Sequence, residues 1–329
     1  MKIISTIGPA SQNLKFVRFC IEHGQPHFRI NASHLSVRQL EEILVQLERL
    51  SSPQQAEVTL DIQGGKKRIG NLDAPLSLKK NERVLLVPEK NNIPQKQGEK
   101  PTVPVPDWEN LHRLSTGTIL YLQDNQIQLR ILENRGEEII AEVVNASQQL
   151  RSRAGIWSKG QPALSGRLPS LQLEQLQVAA QFRVKNIALS FVSGPNDILA
   201  LREILRENNY TPDLIAKIER PEALTHLTRI AEAADEVWFC RGDLGTIIPL
   251  KNLGKAQDDC IEICRKQRVP VVVAGQVFHH LTEHEQPTRS EVVHFYHLQQ
   301  TGVAGIVLSD ETAIGTNPAN AVSQILQLL

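Results

Sequence analysis

The sequence predicts an α/β protein built as a (β/α)8 TIM barrel, with a small β-barrel domain inserted after the third strand. Three observations lead there. Eight apolar runs of strand character recur along 329 residues, and most are followed by a stretch with apolar residues at helical spacing. The runs are near-continuously apolar, which suits parallel strands buried on both faces. Polar residues gather at their C-terminal ends, where barrel sites lie.

Taken in order, the strand-like runs are KIISTIG (2–8), PHFRINAS (26–33), EVTLDIQGG (57–65), KNIALSFV (185–192), DLIAKIE (213–219), EVWFCRGD (236–243), VPVVVAGQ (269–276) and GVAGIVLSDET (302–312). Amphipathic stretches follow at 14–24, 35–50, 170–182, 195–208 and 253–267. Gly24 suits a helix C-terminus, and Pro195 with Asn196 and Asp197 suits a helix start. One spacing breaks the rhythm: more than a hundred residues separate the third run from the fourth. That segment is Pro-rich and polar in part. It also carries ERVLLVP, GTILYLQ, NQIQLRIL and EEIIAEVV, which read as short antiparallel strands with turns. The expected division is a barrel domain at 1–70 and 159–329 and an inserted β domain at 71–158. Hung from the third βα loop, the insertion would act as a lid.

Composition narrows the function. The formal net charge is zero and 41% of residues are hydrophobic. Nothing therefore favours nucleic acid or an anionic membrane surface as a partner, and the core can be large. No apolar run approaches the roughly 20 residues that span a bilayer, and MKIISTIGPAS reads as strand and turn rather than a signal peptide. Cys20, Cys240, Cys260 and Cys264 form no disulfide framework and suit core thiols in a reducing cytoplasm.

The chemistry concentrates in the fifth and sixth units. DLIAKIERPEAL (213–224) and EVWFCRGDLG (236–245) are apolar runs ending in charge, separated by one helix-like stretch. A parallel βαβ unit of this kind brings Lys217, Glu219, Arg241 and Asp243 to one edge. Two carboxylates beside a lysine and an arginine suit a divalent cation and phosphate, because Mg²⁺ takes one or two carboxylates plus phosphate oxygens. Solvated ion pairs at strand ends are the plainer alternative. In the loop after the seventh strand, His279, His280, His284, His294 and His297 cluster with Glu283. A transition-metal site is conceivable there, but surface or interface histidines are the favoured reading.

Seven segments together resemble the pyruvate kinase family: STIGPAS (5–11), FRINASH (28–34), LDIQGGKKRIG (60–70), LIAKIERPEAL (214–224), RGDLGTIIP (241–249), QPTRSE (286–291) and LSDETAIGTNP (308–318). They follow the family's order across the whole barrel, and GTILYLQDNQIQL (117–129) weakly resembles its inserted B domain. The resemblance implies a glycolytic enzyme that passes the phosphoryl group of phosphoenolpyruvate to ADP, giving pyruvate and ATP. It gives Glu219 and Asp243 the role of Mg²⁺ (or Mn²⁺) ligands and Lys217 that of neutralising the phosphoryl group in flight. Arg29 reaches the phosphates, and Arg68 matches a further active-site arginine. The N–H groups of Gly242 and Asp243 would hold the substrate carboxylate, Ser190 and Phe191 match the family's pair at the end of the fourth strand, and Gly275 takes a substrate-binding position. Asn31, His34, Arg29 and Arg153 fall on the nucleotide side. Asn31, Ser33 and Asp61 match a potassium site. The family's C-terminal effector domain is expected to be absent, which leaves a homodimer through the barrel.

The sequence departs from the family in two ways. Ile62-Gln63-Gly64-Gly65-Lys66 stands where potassium-dependent members have Thr-Lys-Gly-Pro-Glu. A lysine there supplies fixed charge in place of the ion, so K⁺ is expected not to be required. Gly275 replaces a threonine, Ile247 a glutamate and Ala154 a lysine beside Arg153; Asp310 is added in LSDETA. Losing one hydrogen-bond donor of this kind costs about 10²–10³ in rate. These departures leave two alternatives open: a catalytically weakened homologue with a binding or regulatory role, or a metal-dependent barrel enzyme acting on another pyruvate-like oxo-acid.

Overall fold

The computed structural model describes residues 1–50, 56–64, 67–89, 100–123, 125–158 and 168–329, with the side chains of Leu14, His34, Leu50 and Asn110 outside that description. Strand β1 spans Lys2–Ile7, β2 His27–Asn31 and β3 Glu57–Ile62. Strands β4 to β9 follow within the insertion, at Arg83–Pro88, Thr102–Val105, Ile119–Leu122, Ile127–Asn134, Ile139–Ala146 and Ile156–Ser158. Then come β10 Asn186–Leu189, β11 Asp213–Ile218, β12 Glu236–Cys240, β13 Val271–Ala274 and β14 Gly305–Leu308.

The eight strands outside the insertion close into one parallel barrel in the order β1-β14-β13-β12-β11-β10-β3-β2. The amphipathic stretches fold as expected, at Leu14–Glu22, Val37–Leu50, Ser170–Gln181, Pro195–Glu207 and Leu253–Gln267. Local chemistry fixes their ends. Asn13 caps the first helix by accepting from the Phe16 amide at 2.9 Å, and Thr288 with Glu291 forms a capping box for Arg289–Thr301. Several expected strands ran too long, two of them into helices of the candidate site. RGD and SDET, read as strand ends, instead begin helices Arg241–Ile247 and Asp310–Ala313. The sheet pairing stops at Cys240 and Leu308, and the free backbone there turns into helical hydrogen bonds.

Strand periodicity sorts the side chains. In β11, Leu214, Ala216 and Ile218 join the large core between strands and helices, whereas Ile215 faces the barrel interior. Successive strand side chains alternate between faces, so Lys217 and Glu219 follow Ile215 inward. The same parity sends Ala188 and Ser190, Trp238 and Cys240, and Val272 and Ala274 inside. Below this layer Glu236 pairs with Lys2 at 2.6 Å and accepts from Trp238 Nε1 at 2.6 Å.

The chain divides into two compact units, 1–65 with 162–329 and 66–161. The second unit is a six-stranded sheet ordered β5-β4-β8-β7-β6-β9. Its pairings are antiparallel as expected, apart from β4 with β5, which is parallel. Bulges between Gln128 and Leu129 and between Ile131 and Glu133 bend β7. Ala154 is buried in this unit's apolar core, and Tyr121 stacks on Trp157 with ring centroids 4.3 Å apart. No helix among the described residues is long and apolar enough to cross a membrane.

Candidate active site

The interior side chains of β2, β3, β10 and β11 meet at Asp61. Its carboxylate accepts from Arg29 Nε at 2.8 Å, from Lys217 Nζ at 3.1 Å and from Ser190 Oγ at 3.0 Å, and it lies 2.7 Å from a second Arg29 nitrogen. Burial alone would raise its pKa, but Lys217 and Arg29 together hold it below the ordinary carboxylate range. The residue is the shared anion of two buried cations. Asn31 lies opposite Asp61 in the β2–β3 ladder, and its side chain accepts from the Ser33 amide at 3.1 Å.

Lys217 is held from three sides. Its ammonium donates to Ser190 Oγ at 2.9 Å and sits 2.9 Å from both Asp61 and Glu219. Burial opposes its charge, yet the Asp61 and Glu219 carboxylates outweigh burial and raise its pKa. Arg29, whose other arm donates to Thr6 Oγ1 at 3.1 Å, is likewise raised by Asp61 against the effect of burial.

Glu219 behaves differently. It is 2% exposed, and its second oxygen accepts from the Phe191 amide at 2.8 Å. Phe191 holds φ +60° to make that bond, a conformation uncommon for a bulky residue. Burial pushes the Glu219 carboxyl up; Lys217 opposes this, while the negative charges of Asp243 and Asp61 add to it. A buried carboxylate destabilised by a second carboxylate is the electrostatic signature of a place for a cation. The donors are hard oxygens, which suits Mg²⁺ or Mn²⁺. Among the described residues no group of three or more His, Cys, Asp or Glu is arranged to hold a metal ion. Two carboxylates suffice for Mg²⁺, which completes its shell with water and phosphate oxygens.

These groups open into a cleft of about 670 Å³ lined by Arg29, Lys217, Glu219, Asp243, Gly275 and Asp310, among others. Gly242 and Asp243 occupy the first turn of the helix Arg241–Ile247, whose early amides have no partner within the helix and carry its positive dipole end. Across from them Gly275 holds φ +91°, and a Cβ built on it would stand 2.8 Å from the Gly242 nitrogen. The glycine is therefore required by close packing as well as by backbone conformation.

Sequence reasoning missed Thr6 and undervalued Arg241, which donates to the Gly275 carbonyl at 2.8 Å. The charged end of the sixth run was the signal available for Arg241; for Thr6 it was its place in the STIGPAS motif. Of the remaining candidates, Lys66 and the side chain of His34 lie outside the described residues. Arg68 and Arg153 belong to the second unit, where the Arg68 guanidinium donates to the Arg153 carbonyl at 3.0 Å. The histidine loop does not converge. His280 and His284 stack with centroids 3.7 Å apart, while His294 faces Arg241.

The sequence model of the family described as "Pyruvate kinase, barrel domain" matches residues 1–322. A pyruvate kinase of Thermococcus litoralis is 30% identical over 331 residues, covering 99% of this chain and 68% of its own length. The chain belongs to the pyruvate kinase family. A second pyruvate kinase, from Agrobacterium vitis, is also 30% identical, over 98% of this chain and 66% of its own. In three dimensions the chain is similar to a pyruvate kinase crystal structure from Cryptosporidium parvum. The TM-score is 0.86 at 25% identity, over 99% of this chain and 68% of that one. A pyruvate kinase barrel is therefore the frame in which Lys217, Glu219 and Asp243 stand.

Proposed function

We propose that the chain is a phosphotransferase that moves the phosphoryl group of phosphoenolpyruvate to ADP, giving pyruvate and ATP, with Mg²⁺ or Mn²⁺ and without a need for K⁺. The observation that carries this reading is the placement of Lys217. It is a buried ammonium fixed by Asp61, Ser190 and Glu219 in the lining of a cleft shared with Arg29 and Asp243.

Phosphoryl transfer needs positioning and charge neutralisation more than covalent chemistry. Lys217 and Arg29 would face the phosphoryl oxygens, held in advance so that no reorganisation accompanies transfer. Glu219 and Asp243 would hold the divalent cation, which supplies positive charge to the phosphoryl oxygens when bound. The amides of Gly242 and Asp243 would take the substrate carboxylate. Gly275 has no hydroxyl, so solvent in the cleft would deliver the proton to the departing enolate. Arg68 as a further active-site arginine, Asn31, His34 and Arg153 as nucleotide-side groups, Lys66 in place of K⁺, a lid role for the second unit, a homodimer through the barrel and a cytoplasmic setting enter the proposal on the resemblance alone.

The test is pyruvate formation by the purified protein from phosphoenolpyruvate and ADP, with and without Mg²⁺ and K⁺. Turnover should require the divalent ion, ignore K⁺ and fall by at least about 10²–10³ in Lys217→Met. Turnover that survives Lys217→Met, or none under any of these conditions, refutes the reading.

A further inference from the structure

The Arg241 guanidinium has an unusual pair of partners. Its Nε donates to the Gly275 carbonyl at 2.8 Å, and one terminal nitrogen lies 3.3 Å from His294 Nε2 and 3.5 Å from Nδ1. Burial lowers its pKa to about 10, so it stays charged at neutral pH. A guanidinium has only donors, so the imidazole must offer a lone pair or its ring face, and both require the neutral form. Protonation would set two cations about 3.3 Å apart.

His294 lies on the helix Arg289–Thr301, outside the cleft. Burial lowers its pKa first, followed by the charge of Arg241 and then His297 on its own helix; Asp258, on the helix Leu253–Gln267, opposes them. A depressed imidazole pKa means that the neutral contact is fully present above the ordinary value and is lost as pH falls through the folded one. What the contact supports is the wall of the cleft. Arg241 begins the helix that carries Gly242 and Asp243, and its side chain ties that helix to Gly275, whose backbone packs against the Gly242 nitrogen.

We propose that His294 is a positioning residue. Neutral, it holds Arg241 against the Gly275 carbonyl and so fixes the amides that face the substrate carboxylate; protonated, it releases them and weakens substrate binding in acid. The identity of the substrate rests on the functional reading above, whereas the coupling from His294 to the cleft wall does not.

Two arms test this. In ¹⁵N-labelled protein, His294 should titrate below the ordinary imidazole value, and the amides of Gly242 and Gln276 should shift with the same midpoint. In steady-state kinetics the KM for phosphoenolpyruvate should rise on the acid side of that midpoint. The acid limb should vanish in His294→Asn, which keeps an acceptor but does not titrate. In His294→Lys, a fixed cation, KM should be raised about tenfold or more at all pH, with kcat changed less. The inference is overturned if His294 titrates at or above the ordinary value, if the two amides ignore its titration, or if the acid limb survives in His294→Asn. Amide coupling without turnover in the parent protein would refute the phosphotransfer reading and leave the positioning role standing.

Discussion

Returning a threonine to position 275 should harm this protein. Gly275 holds φ +91°, where an L side chain is strained, and its Cβ would stand 2.8 Å from the Gly242 nitrogen, 3.4 Å from the Arg241 nitrogen and 3.5 Å from the Gly242 Cα. All three atoms are backbone, so no flexible side chain can yield. The left-handed conformation costs about 1–2 kcal/mol, and forcing extra atoms into a packed site about 1–3 kcal/mol. The expected loss of stability is therefore about 2–5 kcal/mol. Relief requires the start of the helix Arg241–Ile247 to retreat by roughly half an ångström, which takes the carboxylate-facing amides with it. Since a misplacement of about 1 Å can cost about 10²-fold in rate, the expected fall in kcat/KM is about tenfold. Chemical denaturation and steady-state kinetics on Gly275→Ala and Gly275→Thr separate the Cβ from the hydroxyl, and both variants should lose stability to a similar degree. A Gly275→Thr protein as stable as the parent, or one that turns over faster, would refute this account.

Two further outcomes follow from the charge arrangement. Mn²⁺ should raise the melting temperature of the parent, by the equivalent of about 2.7 kcal/mol at a hundredfold excess over its dissociation constant, and Glu219→Gln should abolish most of that rise. Burial, reinforced by Asp243, raises the Glu219 pKa, so in the metal-free protein its favourable contribution belongs below the unfolded pKa and is lost as pH rises through the folded one. The Mn²⁺-induced rise should therefore shrink as the medium is acidified; a rise that grows in acid counts against Glu219 as a ligand. Lys66→Glu should convert a K⁺-indifferent activity into one that falls in K⁺-free buffer and recovers when K⁺ is added; indifference in both proteins removes Lys66 from the proposal.

The barrel was legible because its strands announce themselves twice, as apolar runs and as runs that end in charge. Alternation along DLIAKIE is enough to put Lys217 and Glu219 on one face, and the structure keeps them there. What the sequence hid lies mainly in the backbone. Nothing in Phe191 signals that its amide is turned, at positive φ, toward Glu219. Nothing in AGQ signals that Gly275 is pressed on Gly242. The helices at Arg241 and Asp310 read as strand in the sequence because one or two turns of helix have too few residues to show a period. Asp61 was visible only as one residue of an ion site implied by resemblance, since its two cations arrive from strands 32 and 156 residues away.

The seam of the barrel sets a timetable for its making. β1 pairs with β2 on one side and with β14 on the other, Lys2 lying opposite Gly305. The Thr6 amide donates to Thr312 Oγ1 across 306 residues of chain. A ribosome adding about 5–20 residues per second leaves the free edge of β1 waiting on the order of tens of seconds. An unpaired edge strand is a template for other chains. One edge of β1 thus stays unpaired until β14 is made, and closing the barrel seals it.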